Sequence, residues 1–547
     1  MRKGVGRAAL RVPLLTSCSP LPGGAGESRR DLRWVPFVTP LPIAESRIPQ
    51  REWDTPVPSE GQLMDACDRL FLVSADADPL LSFGQLEAWA ETVAWTLQKN
   101  GVGAGDVVVA ELPNSPAFAV VMSAAWNIGA VFAPVDPRLS AREKQQIFTL
   151  ARPRVVVAPT LASIELPTLL WRNPFEPPAQ LEWIPAPPAR RVGWVPTVPA
   201  PTVQEDDRLI LFTSGSTGAP KAVALSEANI AAGIAAVADH FALTPDDRTI
   251  ALLPWAQSHG LFANLMATLR SRCTMVLPAA GEARQTHRLL DAAAPTWLTV
   301  MPMQLAGITA GLVASRKRAR GMRFLRTASA PLSRLAAERA ERLLDCPVVE
   351  ALELAETSHQ AAADPPSWER VPGTVGTPTG VEFRLAGDEI AGGRELEVRG
   401  TALFSRYVGN PAATAAAFTA DGWLRTRDVA RQEEDGRLRI LGRLSEIAHR
   451  GDHAVAPVDV EAALDEHPDV VSSLATRVPH PHLGDDVAAV VHLRAGSQTT
   501  KRDIMRHCHA HLAEHQIPGQ LRIVQRLPQL PSGKPSRRMA ARLFEVG

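Results

Sequence analysis

The chain has 547 residues, enough for roughly two to four domains with large cores. Apolar residues at 45% and charged residues at 21% are ordinary for a water-soluble globular protein, and a formal net charge of zero excludes a surface that is basic or acidic overall, of the kind that draws nucleic acid or anionic membrane. The five cysteines, Cys18, Cys67, Cys273, Cys346 and Cys508, are odd in number and widely spaced. They read as neither a disulfide framework nor a metal-spaced pair, which points to a reducing, cytoplasmic setting.

Residues 1–55 read as an extended or disordered tail rich in proline and arginine. Its first 26 residues carry Arg2, Lys3, Arg7 and Arg11 and no acid, but prolines and glycines break the amphipathic pattern that a transit peptide needs. From about residue 60, short apolar runs such as "DVVVAEL" (106–112) and "RVVVAP" (154–159) alternate with helical patterns. That alternation predicts βα units and a largely parallel sheet, an α/β architecture. "GVGAGD" (101–106) has a glycine rhythm without the strand and helix of a dinucleotide site, and reads as a turn. The most apolar stretch, 118–135, contains Asn127 and closes near Pro134, so it reads as a buried helix running into a strand rather than a membrane span. A proline-rich segment, 173–202, reads as a long surface connection.

Next comes "LFTSGSTGAPKAVALS" (211–226), a loop between two strand-like runs, 209–212 and 222–225. Gly215 and Gly218 let the backbone approach a ligand, while Thr213, Ser214, Ser216 and Thr217 offer hydroxyls and Lys221 a charge. Together these suit polyphosphate oxygens. The loop is not a Walker sequence, because Pro220 and not glycine precedes Lys221. The chain has only seven lysines against 51 arginines and a single tyrosine, Tyr407; against that bias Lys221 and Lys534, both in glycine-rich settings, stand out. Ser226 fits the N-cap of a helix with Ile230, Ile234, Val237 and Phe241 on one face. A boundary falls near residue 444, and the last 100 or so residues carry ten of the fourteen histidines. His507, His511 and His515 are spaced for a metal site, but Ile504, Cys508 and Leu512 make an amphipathic surface helix the better reading.

"TSGSTGAPK" (213–221) resembles the phosphate loop of the adenylate-forming, AMP-binding superfamily, which includes acyl-CoA synthetases, peptide-synthetase adenylation domains and beetle luciferases. Further segments resemble that family in order. They are "LSFGQL" (81–86) at a helix entry, "LPWAQSHGL" (253–261) at the substrate pocket, "TASAPL" (327–332) beside adenine, and "VVEALELAETSH" (348–359) for its tyrosine-glycine-x-threonine-glutamate segment. "DGWLRTRDVA" (421–430) follows for ribose, then "GRLSEIAHRGDHAVAPVDVE" (442–461) for the hinge and "LPQLPSGKPSRR" (527–538) for the C-terminal lysine.

The resemblance implies an AMP-binding domain over 56–444, a small mobile lid over 445–547, and ATP, Mg²⁺ and coenzyme A as cosubstrates. It implies Thr213 to Gly218 and Lys221 on the phosphates, Ser329, Ala330 and Leu352 beside adenine, and Asp428 and Arg443 on ribose. Glu356 is implied as the Mg²⁺ ligand and Lys534 as the adenylating lysine, with Gln257, His259 and His359 in the substrate pocket, Ser445 at the hinge, and Gly451 and Asp452 on the CoA channel. Leu352, Ala355, Gln257, Arg427 and Asp452 depart from the pattern. Asp452 stands where a glycine lets the pantetheine arm pass, which bears on the thioester step more than on adenylation. The expected activity is acyl-AMP formation with release of pyrophosphate, then acyl transfer to CoA. The substrate is a small carboxylate of the oxalyl-CoA synthetase-like branch, in which His359 meets a second carboxylate, or a medium-chain fatty acid. An impaired nucleotide-binding homologue and an enzyme that loads a carrier-protein thiol are the alternatives.

Overall fold

A computed structural model describes residues 67–161, 166–186, 203–213, 220–279, 281–530 and 534–545. The tail and the hydroxyl-rich centre of the phosphate loop, 214–219, lie outside these residues.

An eight-stranded sheet forms the largest layer. Its centre is parallel: Val131–Pro134 pairs with Val107–Ala110, which pairs with Val155–Ala158 and then Thr168–Leu170. These strands are continuous β-branched or apolar runs because both faces are covered. The helix Pro116–Asn127, buried along nearly its whole length, runs into the strand at Val131 as its composition predicts. One edge turns antiparallel where Asp207–Thr213 and Lys221–Ser226 form the arms of the phosphate loop, since a link this short can only reverse the chain. The first part of the proline-rich segment also departs from a plain connection: Glu182–Ile184 adds an antiparallel strand at the far edge.

A five-stranded sheet, a four-stranded mixed sheet containing Leu70–Val73, and a four-stranded antiparallel sheet complete the large domain. The parallel expectation therefore holds within the eight-stranded, five-stranded and mixed sheets, fails at their edges, and fails throughout the four-stranded antiparallel sheet. Helix starts follow the local chemistry. Ser82 and Ser226 cap Phe83–Lys99 and Glu227–Ala238 with reciprocal capping boxes, contributing about 1 kcal/mol each.

The strand Leu438–Arg443 still belongs to the antiparallel sheet, whereas Ala448–Arg450 belongs to a separate five-stranded sheet with its own apolar core. Ser445 lies in the turn between them. In the C-terminal part, Ile504 and Cys508 of Lys501–His511 are buried, and His507 Nε2 lies 2.8 Å from the Ala463 carbonyl, so this helix packs as an amphipathic element. Cys273, Cys346 and Cys508 are buried free thiols, whereas Cys67 is disulfide-bonded, which differs from the sequence expectation. No helix among the described residues is long and apolar enough to cross a membrane.

Candidate active site

Thr213 and Lys221 pair directly across the hairpin, so the lysine stands at the base of the phosphate loop. Its Nζ lies 4.5 Å from the centre of the Tyr407 ring. Tyr407 sits on Arg406–Tyr407, which pairs with the lysine's own strand, and its hydroxyl donates to Glu356 Oε1 at 2.7 Å. Burial, and then the nearby Glu356 carboxylate, push the Tyr407 hydroxyl well up, so it remains a donor. Glu356 Oε2 makes no hydrogen bond among the described residues. An anionic oxygen held at one side and open at the other fits a hard divalent cation such as Mg²⁺.

Asp428 and Arg443 are direct partners on adjacent antiparallel strands, with Arg443 Nε 3.2 Å from Asp428 Oδ1. Burial pushes the Asp428 carboxyl up to about 6, against the pull of Arg443 and with further upward pressure from Glu446 and Glu356. Arg427, where the family pattern has glycine, holds φ at +64°, a conformation that glycine adopts without strain. Leu352 is partly buried against the main core, and Ser329 and Ala330 follow the strand Phe324–Thr327. Lys221, Tyr407 and Glu356 thus form one chain of contacts, and the Glu356 charge reaches the neighbouring Asp428–Arg443 pair.

A second cluster is built differently. Thr299 and Arg326 are register partners on the parallel strands Trp297–Val300 and Phe324–Thr327. Period-two alternation sends Leu298 and Leu325 into one core and turns Thr299 and Arg326 to the opposite face. Arg326 is fully buried. Its guanidinium reaches His259 Nε2 at 2.8 Å, His359 Nε2 at 3.0 Å, Gln360 Oε1 at 3.0 Å and Thr299 Oγ1 at 3.2 Å. Burial lowers it to about 10, so it stays charged at neutral pH and can only donate. Both imidazoles therefore accept at Nε2. Burial lowers His259 to about 3 and His359 well below its ordinary range, so both are neutral and carry their proton on Nδ1.

Those two N–H groups face Glu353. His259 Nδ1 is 3.1 Å from Ser329 Oγ, whose hydroxyl donates to Glu353 Oε1. His359 Nδ1 approaches Glu353 Oε2 to 3.2 Å, yet both atoms are buried without a hydrogen-bond partner. Lys534 Nζ is 3.6 Å from Glu353 Oε1. Burial pushes the Glu353 carboxyl up; the facing N–H groups of His259 and His359, with the positive charges of Lys534 and Arg326, hold it well below the usual carboxylate range. Tight backbone packing supports the cluster. Ser358 and His359 hold φ at +49° and +94°, and a Cβ on Gly233 would lie 2.2 Å from the Ser358 carbonyl oxygen, so only glycine lets that helix pack there.

Lys534 reaches this cluster from the C-terminal part. Its carbonyl accepts from the Leu530 amide at 2.9 Å, and Gln529 Nε2 contacts Met303 Sδ of the large domain at 2.6 Å. Arg537, paired with Glu461 and Glu446, anchors the segment beside the hinge. Gln257 precedes the short helix Ser258–Gly260 that carries His259. Gly451 and Asp452 form an exposed turn between Ala448–Arg450 and His453–Val455.

The sequence reading did not assign Glu353, Arg326 or Tyr407. Glu353 falls in the register of the family's glycine, and Tyr407 is the chain's only tyrosine; either fact was a usable signal. Arg326 carries none among 51 arginines. His259, Glu353 and His359 bring ligand-type atoms within 4.8 Å of one another, the one such group of three among the described residues. Arg326 argues against a metal there, because it occupies both Nε2 atoms and leaves protons on both Nδ1 atoms.

Two family models match the chain: AMP-binding enzyme over residues 60–408, and AMP-binding enzyme C-terminal domain over 459–534. An oxalate–CoA ligase of Arabidopsis thaliana is 33% identical over 62% of this chain and 68% of its own length. A sulfoacetate–CoA ligase of Cupriavidus necator is 29% identical over 86% of this chain and 94% of its own. The ATP-bound crystal structure of MatB from Rhodopseudomonas palustris superposes with a TM-score of 0.76 at 26% identity, over 88% of this chain and 97% of that one.

Proposed function

The chain belongs to the AMP-binding enzyme family, and from that premise we propose that it is an AMP-forming acid–CoA ligase acting on small carboxylates. A carboxylate is a poor electrophile, being anionic and resonance-stabilised. One of its oxygens attacks the α-phosphorus of ATP, the bond to the β-phosphate oxygen breaks, and pyrophosphate leaves. The CoA thiol then adds to the acyl carbon, AMP departs, and the thiol proton passes to solvent.

Two anions must meet in the first step, so fixed cations are needed where charge gathers. Lys221 and the phosphate loop hold the β- and γ-phosphates. Glu356 would hold Mg²⁺, which would supply charge neutralisation there. Asp428 accepts from the ribose hydroxyls, with Arg443 beside it. Lys534 brings the acid's oxygen to phosphorus, and Ser445 lets the C-terminal domain turn for the thioester step. What supports this reading is that Lys534, from the C-terminal part, comes within 3.6 Å of Glu353 of the large domain, close in the chain to Glu356, which holds the Tyr407 hydroxyl beside Lys221.

The test is pyrophosphate release with a panel of carboxylates, followed by acceptor choice between free CoA and a holo-carrier protein. ATP binding without release for any acid would sink the adenylation reading. Thioester formation only with the carrier would replace CoA as acceptor.

A further inference from the structure

The named substrates of two relatives, oxalate and sulfoacetate, each carry a second acidic group. This chain places its own carboxylate where such a group would seek donors. Glu353 already takes the Ser329 hydroxyl, faces the two Nδ1–H groups, and stands 3.6 Å from Lys534. Arg326 cannot turn to a ligand, because its guanidinium is spent on His259, His359, Gln360 and Thr299.

The charges decide what else can enter. Arg326 balances Glu353, and Lys534 balances the carboxylate of the acid being activated, while both imidazoles are neutral. A second substrate carboxylate would leave one buried anion uncompensated, and an ammonium would leave one buried cation. Among the described residues, two polar atoms of this cluster, 3.2 Å apart, make no hydrogen bond: Glu353 Oε2, an acceptor, and His359 Nδ1–H, a donor. A buried donor and acceptor left unpaired are costly, so the group that completes the site must donate to one and accept from the other. A hydroxyl does both and carries no charge.

We infer that Glu353 and His359 are specificity-determining residues that select a hydroxy acid and reject a dicarboxylate. This rests on the adenylation reading. The hydroxyl donates to Glu353 Oε2 and accepts from His359 Nδ1–H, while the carboxylate goes to Lys534. An apolar analogue leaves both protein atoms unpaired, and water is the only other group on hand to satisfy them.

The test measures kcat/KM for pyrophosphate release on matched acids. These are glycolate, oxalate, glycine and propanoate; hydracrylate, malonate, β-alanine and butanoate; and para-hydroxybenzoate, terephthalate and para-methylbenzoate. In the unaltered protein the hydroxy acid of the best framework should exceed its dicarboxylate, ammonium and methyl analogues by roughly 10-fold or more. In Glu353→Gln, which keeps the shape and removes the charge, the ratio of dicarboxylate to hydroxy acid should rise roughly 10-fold. A dicarboxylate or methyl acid preferred by the unaltered protein overturns the inference, and so does an unchanged ratio in Glu353→Gln; both leave the adenylation reading standing. Release from no acid, by either protein, overturns that reading and this inference together. The preference order of the unaltered protein stands as a test even if Glu353→Gln folds poorly.

Discussion

The two walls of the candidate site are made in different ways. The wall expected to hold nucleotide is partly local: Thr213 and Lys221 face each other across one hairpin, Asp428 and half-exposed Arg443 across another, and Tyr407 joins Lys221 to Glu356 from distant parts of the chain. The acyl wall is long-range. Thr299, Arg326, Glu353 and His359 come from four strands of one sheet, His259 from a separate short helix, and Lys534 from another domain. The first is a set of separate contacts, whereas the second is a network in which Arg326 reaches both imidazoles and Glu353 faces them.

Five substitutions, one of them used in combination, sharpen or break this contrast. The largest effect belongs to Lys534→Ala, which should reduce pyrophosphate release by about 10² to 10³-fold. ATP affinity, measured by calorimetry, should be nearly unchanged, because the nucleotide wall does not use this lysine. An equal loss of both would merge the two walls.

Arg326→Met should lower stability in denaturant unfolding by about 3–5 kcal/mol, since it leaves the Glu353 charge buried without its cation. Adding Glu353→Gln should recover at least half of that loss, whereas strictly additive costs would mean the acyl wall is not a unit.

The Asp428 carboxyl is raised to about 6, so it is ionised above that pH and takes a proton below it. Adenosine, whose ribose carries the relevant hydroxyls and which has no phosphate to titrate, should bind more weakly as pH falls through about 6. Asp428→Asn should show no such step.

The smallest effect is Arg427→Gly. It relieves a left-handed backbone at φ +64° and should stabilise the protein by up to about 1 kcal/mol, read as a small rise in denaturation midpoint with catalysis intact.

The sequence alone determined the βα layers, the Ser226 helix cap and the helix that runs from Pro116 into a strand, because periodicity and capping are encoded within a few residues of where they act. It also determined the residue types of the nucleotide wall, since a hairpin loop with its lysine, or an aspartate with its arginine partner, travels as a short string. His359, expected in the substrate pocket, is fully buried and faces Glu353 of its own chain. Only the tertiary structure decided that. Strand register, not spacing along the chain, set Thr299 beside Arg326, and one buried guanidinium then fixed two tautomers at once. A proton's position on an imidazole depends on what fills the space around it, and that space is enclosed by segments more than 200 residues apart.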